Sequence, residues 1–157
     1  MTHSYALALS ALWLTFTFQA LGISPQEQNL KRKKVPEAVI RAFELSYPKA
    51  KIKGYSKEAD EGKIVYEVES KQGTAERDIL YNPDGTVVSI EESLPFADLP
   101  QLVRDAIGNE FPKGKVIRCE RLLKGSTTEF EVVVTHSKSK YEVMFEPNGK
   151  IIKKEKV

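Results

Sequence analysis

The chain has 157 residues, enough for one domain of ordinary size or two small ones. Hydrophobic residues make up 41% and charged residues 29%, as in folded globular proteins and unlike disordered or collagen-like ones. The net charge of +2 excludes a broadly basic nucleic-acid-binding surface, and the single cysteine, Cys119, excludes an intrachain disulfide and a multi-cysteine zinc site.

An apolar segment at the start of the chain predicts export. Residues 5–23 are mostly apolar, and no acidic or basic side chain precedes Glu27. Residues 20–22 (Ala-Leu-Gly) place small side chains at positions −3 and −1 of a signal-peptidase site, so we expect a signal peptide over residues 1–22. The same segment is just long enough to span a bilayer, which leaves an uncleaved N-terminal anchor as the alternative. We expect a periplasmic or secreted protein, attached to the membrane only in that alternative.

A basic run, residues 31–34 (Lys-Arg-Lys-Lys), ends a leader that we assign to residues 23–34. Together with Lys153, Lys154 and Lys156, it could bind phosphates or anionic lipid. Runs of like charge are more often the solvated flanks of a folded core, and we favour that interpretation. We expect no nucleic-acid partner.

The rest of the sequence repeats itself at an offset of 64 residues. Prolines, turn glycines and strand residues match together at this one offset. The matching pairs include Pro36/Pro100, Val39/Val103, Ala42/Ala106, Pro48/Pro112, Glu67/Glu131 and Gly85/Gly149. The offset predicts two tandem units, over residues 35–93 and 99–157, with a junction over residues 94–98.

Each predicted unit begins with a helix. Pro36 suits a first helical turn, and Pro48 ends the helix because the residue before a proline avoids helical geometry. Between the two prolines, an apolar stripe at helical spacing is formed by Val39, Ala42, Phe43 and Tyr47. Residues 103–111 repeat that stripe in the second unit.

After each helix the apolar period changes to two, which predicts strands. Tyr66 and Val68 alternate with Glu67, and residues 82–85 (Asn-Pro-Asp-Gly) form a hairpin turn that residues 146–149 repeat. The sequence therefore predicts an α+β fold of two tandem repeats, each with one helix packed on an antiparallel sheet of about four strands. Because units of this size have small cores, we expect the two to pair into one larger sheet.

Four short motifs occur in the same order in both units. In the first unit they are residues 35–39 (Val-Pro-Glu-Ala-Val), 47–51 (Tyr-Pro-Lys-Ala-Lys), 66–69 (Tyr-Glu-Val-Glu) and 82–85. This duplicated order resembles the beta-lactamase-inhibitor-like (BLIP-like), PepSY-like proteins of bacterial cell envelopes, and the resemblance covers Val35 to the C-terminus. It implies an exported, non-enzymatic binding module related in fold to tandem inhibitors that clasp a partner on a concave sheet.

Few residues in the sequence suggest a reaction. Cys119 and His136 could form a nucleophile and base, but neither has a counterpart in the other unit, so we favour structural roles for both. The sequence contains no His/Cys group with metal-ligand spacing. We therefore predict no catalytic residue, no metal site and no cofactor.

The sheet face without helices is the predicted partner-binding site. If Tyr66 and Val68 pack against the helix, alternation turns the following residues to the other face: Val65, Glu67, Leu80, Glu131, Val133 and Met144. Apolar residues mixed with charge suit protein recognition. Glu67 and Glu131 could equally pair with lysines across strands for stability alone.

Two functions remain open at this point. In the first, the face binds another exported or envelope protein, as an inhibitor or escort of an envelope enzyme. In the alternative, the chain is an envelope structural module that self-associates through that face, for example as a homodimer.

Overall fold

A computed structural model describes residues 28–60 and 62–157. The predicted signal peptide, residues 1–22, lies outside the described residues. Among the described helices, none is long and apolar enough to cross a membrane.

The described chain contains a 10-residue helix α1 (Glu37–Ser46) and a 10-residue helix α2 (Gln101–Glu110). The strands are β1 (Gln28–Asn29), β2 (Lys51–Asp60), β3 (Lys63–Gln72), β4 (Ala75–Tyr81), β5 (Val87–Ser93), β6 (Lys115–Lys124), β7 (Thr127–His136), β8 (Ser139–Phe145) and β9 (Ile151–Lys156). Short 3-10 turns, Arg32–Lys34 and Phe96–Asp98, precede the two helices.

All nine described strands form one antiparallel sheet in chain order. Four strands follow each helix, and the pairing of β5 with β6 joins the two groups. The α+β class and the single larger sheet predicted from the sequence are therefore confirmed.

Proline and apolar periodicity set the two helices. Pro36 and Pro100 lie at the N-caps with φ of −55° and −52°, which their rings favour. At the other ends, the N–H of Tyr47 donates to the Phe43 carbonyl and the N–H of Phe111 donates to the Ile107 carbonyl. The apolar stripe of each helix is buried against the sheet.

The helices pack on one face of the sheet and form two hydrophobic cores. The core under α1 contains Val35, Val39, Ile40, Phe43, Val68, Ile79 and Tyr81. The core under α2 contains Leu99, Val103, Ile107, Phe111, Cys119, Phe130, Val132, Val134, Val143 and Phe145. Full burial of one such large apolar side chain stabilises the fold by roughly 1.5–3 kcal/mol.

The hairpin turn after β4 packs against the start of α1. Gly85 has a φ of +87°, and a Cβ there would lie 2.7 Å from the Ala38 carbonyl oxygen, so glycine is needed for both conformation and space. Gly149, with a φ of +84°, makes the same close approach to the carbonyl of Leu102 in the second half.

The end of the predicted leader lies against the fold. Gln28 and Asn29 pair with Lys57 and Ser56 of β2, and Leu30 packs against the core under α1. The Arg32 guanidinium lies 2.9 Å from a carboxylate oxygen of Glu44. These described residues of the leader therefore contact the first half of the sheet.

An ion-pair bridge crosses the junction of the two halves on the helix-bearing face. Arg77 of β4 and Arg121 of β6 each lie 2.6 Å from a different carboxylate oxygen of Glu92 on β5. Cross-strand pairs of opposite charge stabilise sheets.

Candidate functional site

The sheet face opposite the helices is called the helix-free face. Strand register and side-chain alternation assign its central residues. They are Ser56, Glu58, Val65, Glu67, Glu69, Asp78, Leu80, Ser89, Glu91, Arg118, Glu120, Leu122, Glu129, Glu131, Val133, Glu142 and Met144. All six partner-binding residues predicted from the sequence lie on this face.

Those six side chains are much less accessible than alternation alone suggests. Their exposed fractions are Val65 2%, Glu67 1%, Leu80 6%, Glu131 5%, Val133 3% and Met144 4%. The expectation that they point into open solvent is therefore wrong. Their role in binding a partner stays a prediction.

Curvature of the sheet explains this burial. The Lys124 ammonium lies 3.5 Å from a carboxylate oxygen of Asp60. The strands that carry these residues, β6 and β2, are four positions apart in the sheet, which is about 19 Å in a flat sheet. The sheet must therefore bend so that the two strand ends approach each other on the helix-free face.

Charges on the helix-free face are sorted by position. Lysines lie near the strand ends: Lys51, Lys63, Lys71, Lys115, Lys124 and Lys140. Carboxylates fill the middle of the strands. The part that we name the acidic centre consists of Asp78, Glu91, Glu120, Glu131 and Glu142 around the guanidinium of Arg118.

Arg118 holds the acidic centre together. Its Nη2 lies 2.7 Å from Glu131 Oε1 and donates a hydrogen bond to it. Its Nε lies 3.1 Å from Glu120 Oε2, but the two atoms are not aligned for a hydrogen bond. Glu120 is only 9% exposed, and its buried Oε2 has no hydrogen-bond donor within the described chain. The centre therefore contains a desolvated carboxylate oxygen whose hydrogen bonding is incomplete.

Burial keeps protons on these carboxylates. Burial first, and then the nearby Glu142 carboxylate, raise the pKa of Glu131 to about 7. Burial and the nearby Glu91 raise the pKa of Asp78 to about 7. Burial and Glu91 also raise the pKa of Glu120 well above its usual value. Loss of water disfavours the charged form of an acid, and nearby like charges add to that effect.

The equivalent part of the first half is neutral and fully hydrogen-bonded at its key pair. There the Ser56 hydroxyl donates to Glu67 Oε2 at 2.7 Å, in a buried position. The Glu69 carboxylate lies over Gly54, where an added Cβ would be 2.8 Å from Glu69 Oε1. At the offset of 64 residues, Gly54 and Ser56 correspond to Arg118 and Glu120.

Sequence reasoning missed Arg118, Glu120, Asp78 and Glu91. Alternation was followed along the predicted strands around Glu67 and Glu131, but it was not followed into β6. A β-bulge between Val116 and Arg118 also shifts the alternation there. The one available signal was that Glu120 lies 64 residues after Ser56.

Cys119 and His136 do not form a nucleophile–base pair. Cys119 is paired in register with Val132, and His136 lies four residues further along β7, about 13 Å of strand. Burial raises the pKa of the Cys119 thiol to about 11, which keeps it protonated. The His136 ring instead packs against Phe111, with ring centroids 5.9 Å apart. Within the described chain, no three side chains are grouped to hold a metal ion.

The sequence matches one family model twice. The family is described as "Putative beta-lactamase-inhibitor-like, PepSY-like", and the matches cover residues 22–89 and 65–153. Together they span most of the chain, so the protein belongs to this family. No curated protein matches the sequence.

Solved structures share the fold at low sequence identity. A Bacteroides eggerthii protein described as periplasmic has a TM-score of 0.65 and 19% identity, over 78% of this chain and 89% of its own. A BLIP-like protein of Bacteroides fragilis has a TM-score of 0.61 and 20% identity, over 78% of this chain and 86% of its own. These similarities establish a BLIP-like fold.

Proposed function

We propose that the protein is an exported, non-catalytic binding module that engages another exported or envelope protein through its helix-free face. In this role it acts as an inhibitor or escort of an envelope enzyme. The observation that carries the proposal is the asymmetry of the sheet. Both helices cover one face, and no described element covers the curved face that holds the acidic centre.

Membership of a beta-lactamase-inhibitor-like family and a BLIP-like fold support a binding role. The apolar N-terminal segment supports export, as does the periplasmic description of the Bacteroides eggerthii neighbour. Nothing in the described residues or in the family description indicates catalysis.

We further propose that the two halves are tandem copies of one unit, over residues 35–93 and 99–157. Three kinds of feature recur at the offset of 64 residues and support this. The β-bulges between Ile52 and Gly54 and between Leu80 and Tyr81 recur in the second half. The close approach of a turn glycine to a helix carbonyl recurs as well, and so do the proline N-caps.

Site-specific photo-crosslinking in cells tests which face binds. A photoreactive phenylalanine analogue replaces Leu122 on the helix-free face or, as a matched control, the exposed Leu45 on α1. We expect Leu122, and not Leu45, to yield a crosslink to a different exported protein. Crosslinks from Leu45 alone would contradict the proposal.

A crosslink from Leu122 to a second copy of the chain would instead support self-association through the same face. Sedimentation velocity at several protein concentrations separates the two outcomes, because a monomer at all concentrations argues against self-association.

A further inference from the structure

The two halves differ most in chemistry at equivalent positions in the middle of the helix-free face. The first half has Gly54 and Ser56 opposite glutamates, and the second half has Arg118 and Glu120. Ser56 satisfies Glu67 by a short hydrogen bond. In the second half, Glu120 and Glu131 face each other directly across β6 and β7 and share one guanidinium.

Arg118 alone leaves this centre electron-rich. Glu91 is a diagonal neighbour of Glu120 on β5, and Glu142 lies near Glu131 on β8. These carboxylates outnumber the guanidinium that they share. A second cation placed among them would relieve their mutual repulsion in a site of low dielectric constant, where charge pairing is strong.

Glu120 provides an independent sign that a donor is missing. Its Oε2 is buried, lies on a face that no described element covers, and accepts no hydrogen bond. A buried acceptor of this kind costs free energy unless a donor reaches it. A partner that brings an N–H group would satisfy it.

We propose that the protein partner inserts a lysine or arginine side chain into the acidic centre, where it pairs with Glu120, Glu131 and Glu91. This inference rests on the proposed function, because it assumes that the helix-free face receives the partner. It adds the chemistry of the partner's contacting segment, which is cationic, and it assigns recognition to the second half of the sheet.

Binding of a cation and release of protons are coupled here. At pH 7 the raised pKa values leave Glu131 and Asp78 partly protonated. A cation held beside them favours their charged forms, so binding releases protons to the buffer.

The test uses a tetra-arginine peptide with blocked termini as the probe and the purified protein at low salt. We expect calorimetric binding to the wild-type chain, with proton release detected as a dependence on buffer ionisation enthalpy. The variant Glu120→Ser is suited to the fold because the chain itself has serine at the equivalent position 56. It should weaken binding about tenfold, as expected for loss of a buried charged contact.

Matched controls locate the effect. Glu37→Gln combined with Asp98→Asn removes two exposed carboxylates away from the helix-free face and should leave the affinity unchanged. A blocked tetra-glutamate peptide should not bind. Glu91→Gln, a second variant at a half-buried position, should also weaken binding and serves if Glu120→Ser reduces the folded fraction seen by circular dichroism.

The outcomes separate this inference from the proposed function. Equal affinity of all variants for tetra-arginine, or no binding by the wild-type chain, would overturn the cationic-partner inference. If Leu122 still crosslinks to another protein in that case, the proposed function stands and the partner's chemistry is different. Crosslinks confined to Leu45 would overturn both.

Discussion

The two halves of the sheet share a scaffold and differ in what they hold. Bulges, helix caps and turn glycines coincide at the offset of 64 residues, so the backbone is built twice in the same way. On the helix-free face, a neutral serine–glutamate pair, Ser56 and Glu67, corresponds to the charged network of Arg118, Glu120 and Glu131. The scaffold thus tolerates both chemistries, and stability does not require the charged one.

Truncation of the helix anchors should have the largest effect and tests whether the halves unfold together. Phe43 is 1% exposed in the core under α1, so Phe43→Ala should lower the free energy of unfolding by about 3–5 kcal/mol. Because one sheet joins the halves, we expect a single urea transition shifted to lower concentration. Leu45→Ala, at a position 77% exposed, is the control and should change little. Two separate transitions would show that the halves are energetically independent.

Removal of the shared cation should be the next largest effect. Arg118→Gly leaves Glu120 and Glu131 facing each other without a guanidinium and should cost about 2 kcal/mol, since Arg118 is partly exposed. Adding Glu120→Ser rebuilds the pattern of the first half. The double variant should therefore be more stable than Arg118→Gly alone in urea unfolding. Failure of this rescue would contradict the equivalence of the two sites.

The turn glycines offer a comparison within each half. Gly85→Ala and Gly149→Ala combine a positive φ with a clash against a helix carbonyl, and each should cost about 2 kcal/mol. Gly125 also has a positive φ, +59°, but no atom lies within 4 Å of an added Cβ. Gly125→Ala should therefore cost about 1 kcal/mol, and thermal unfolding should rank it below the other two. Equal losses at all three glycines would show that conformation, and not space, decides.

The acidic centre should make stability depend on pH. The pKa of Glu131, which faces Glu142, Arg118 and Glu91, is about 7 in the folded chain and rises from 4.5. The folded state therefore binds this proton more tightly, and its stabilising effect is lost as the pH rises from about 4.5 through 7. We expect Tm to fall by about 2–4 °C across this window.

Glu131→Gln removes that titration and should flatten the Tm profile between pH 5 and pH 8. Exposed Glu37→Gln should leave the profile unchanged. An unaltered slope in Glu131→Gln would assign the pH dependence to other groups, such as Asp78.

Local sequence signals predicted the helices, the hairpin turns and the face on which each residue of β3 and β7 lies. Proline geometry, glycine conformation and side-chain alternation act over a few residues, so they can be read from Pro36, Gly85 and Tyr66 directly. The α+β class followed from their order.

The accessibility of the helix-free face could not be predicted in the same way. Burial of Glu67 and Glu131 depends on sheet curvature, which is seen in the contact between Asp60 and Lys124, four strands apart. The acidic centre was missed because a bulge alters the alternation before Arg118. Both effects arise from tertiary geometry that a periodic pattern does not contain.

The terminal strand β9 gives the lysine-rich tail a purpose different from lipid binding. β9 is the last strand of the described sheet, and its sequence includes Lys153, Lys154 and Lys156. An unpaired outer strand invites uncontrolled polymerisation by strand addition, and closely spaced lysines oppose it through repulsion between copies. Their replacement by threonine should therefore favour aggregation of the protein at high concentration, although the fold of each molecule is unchanged.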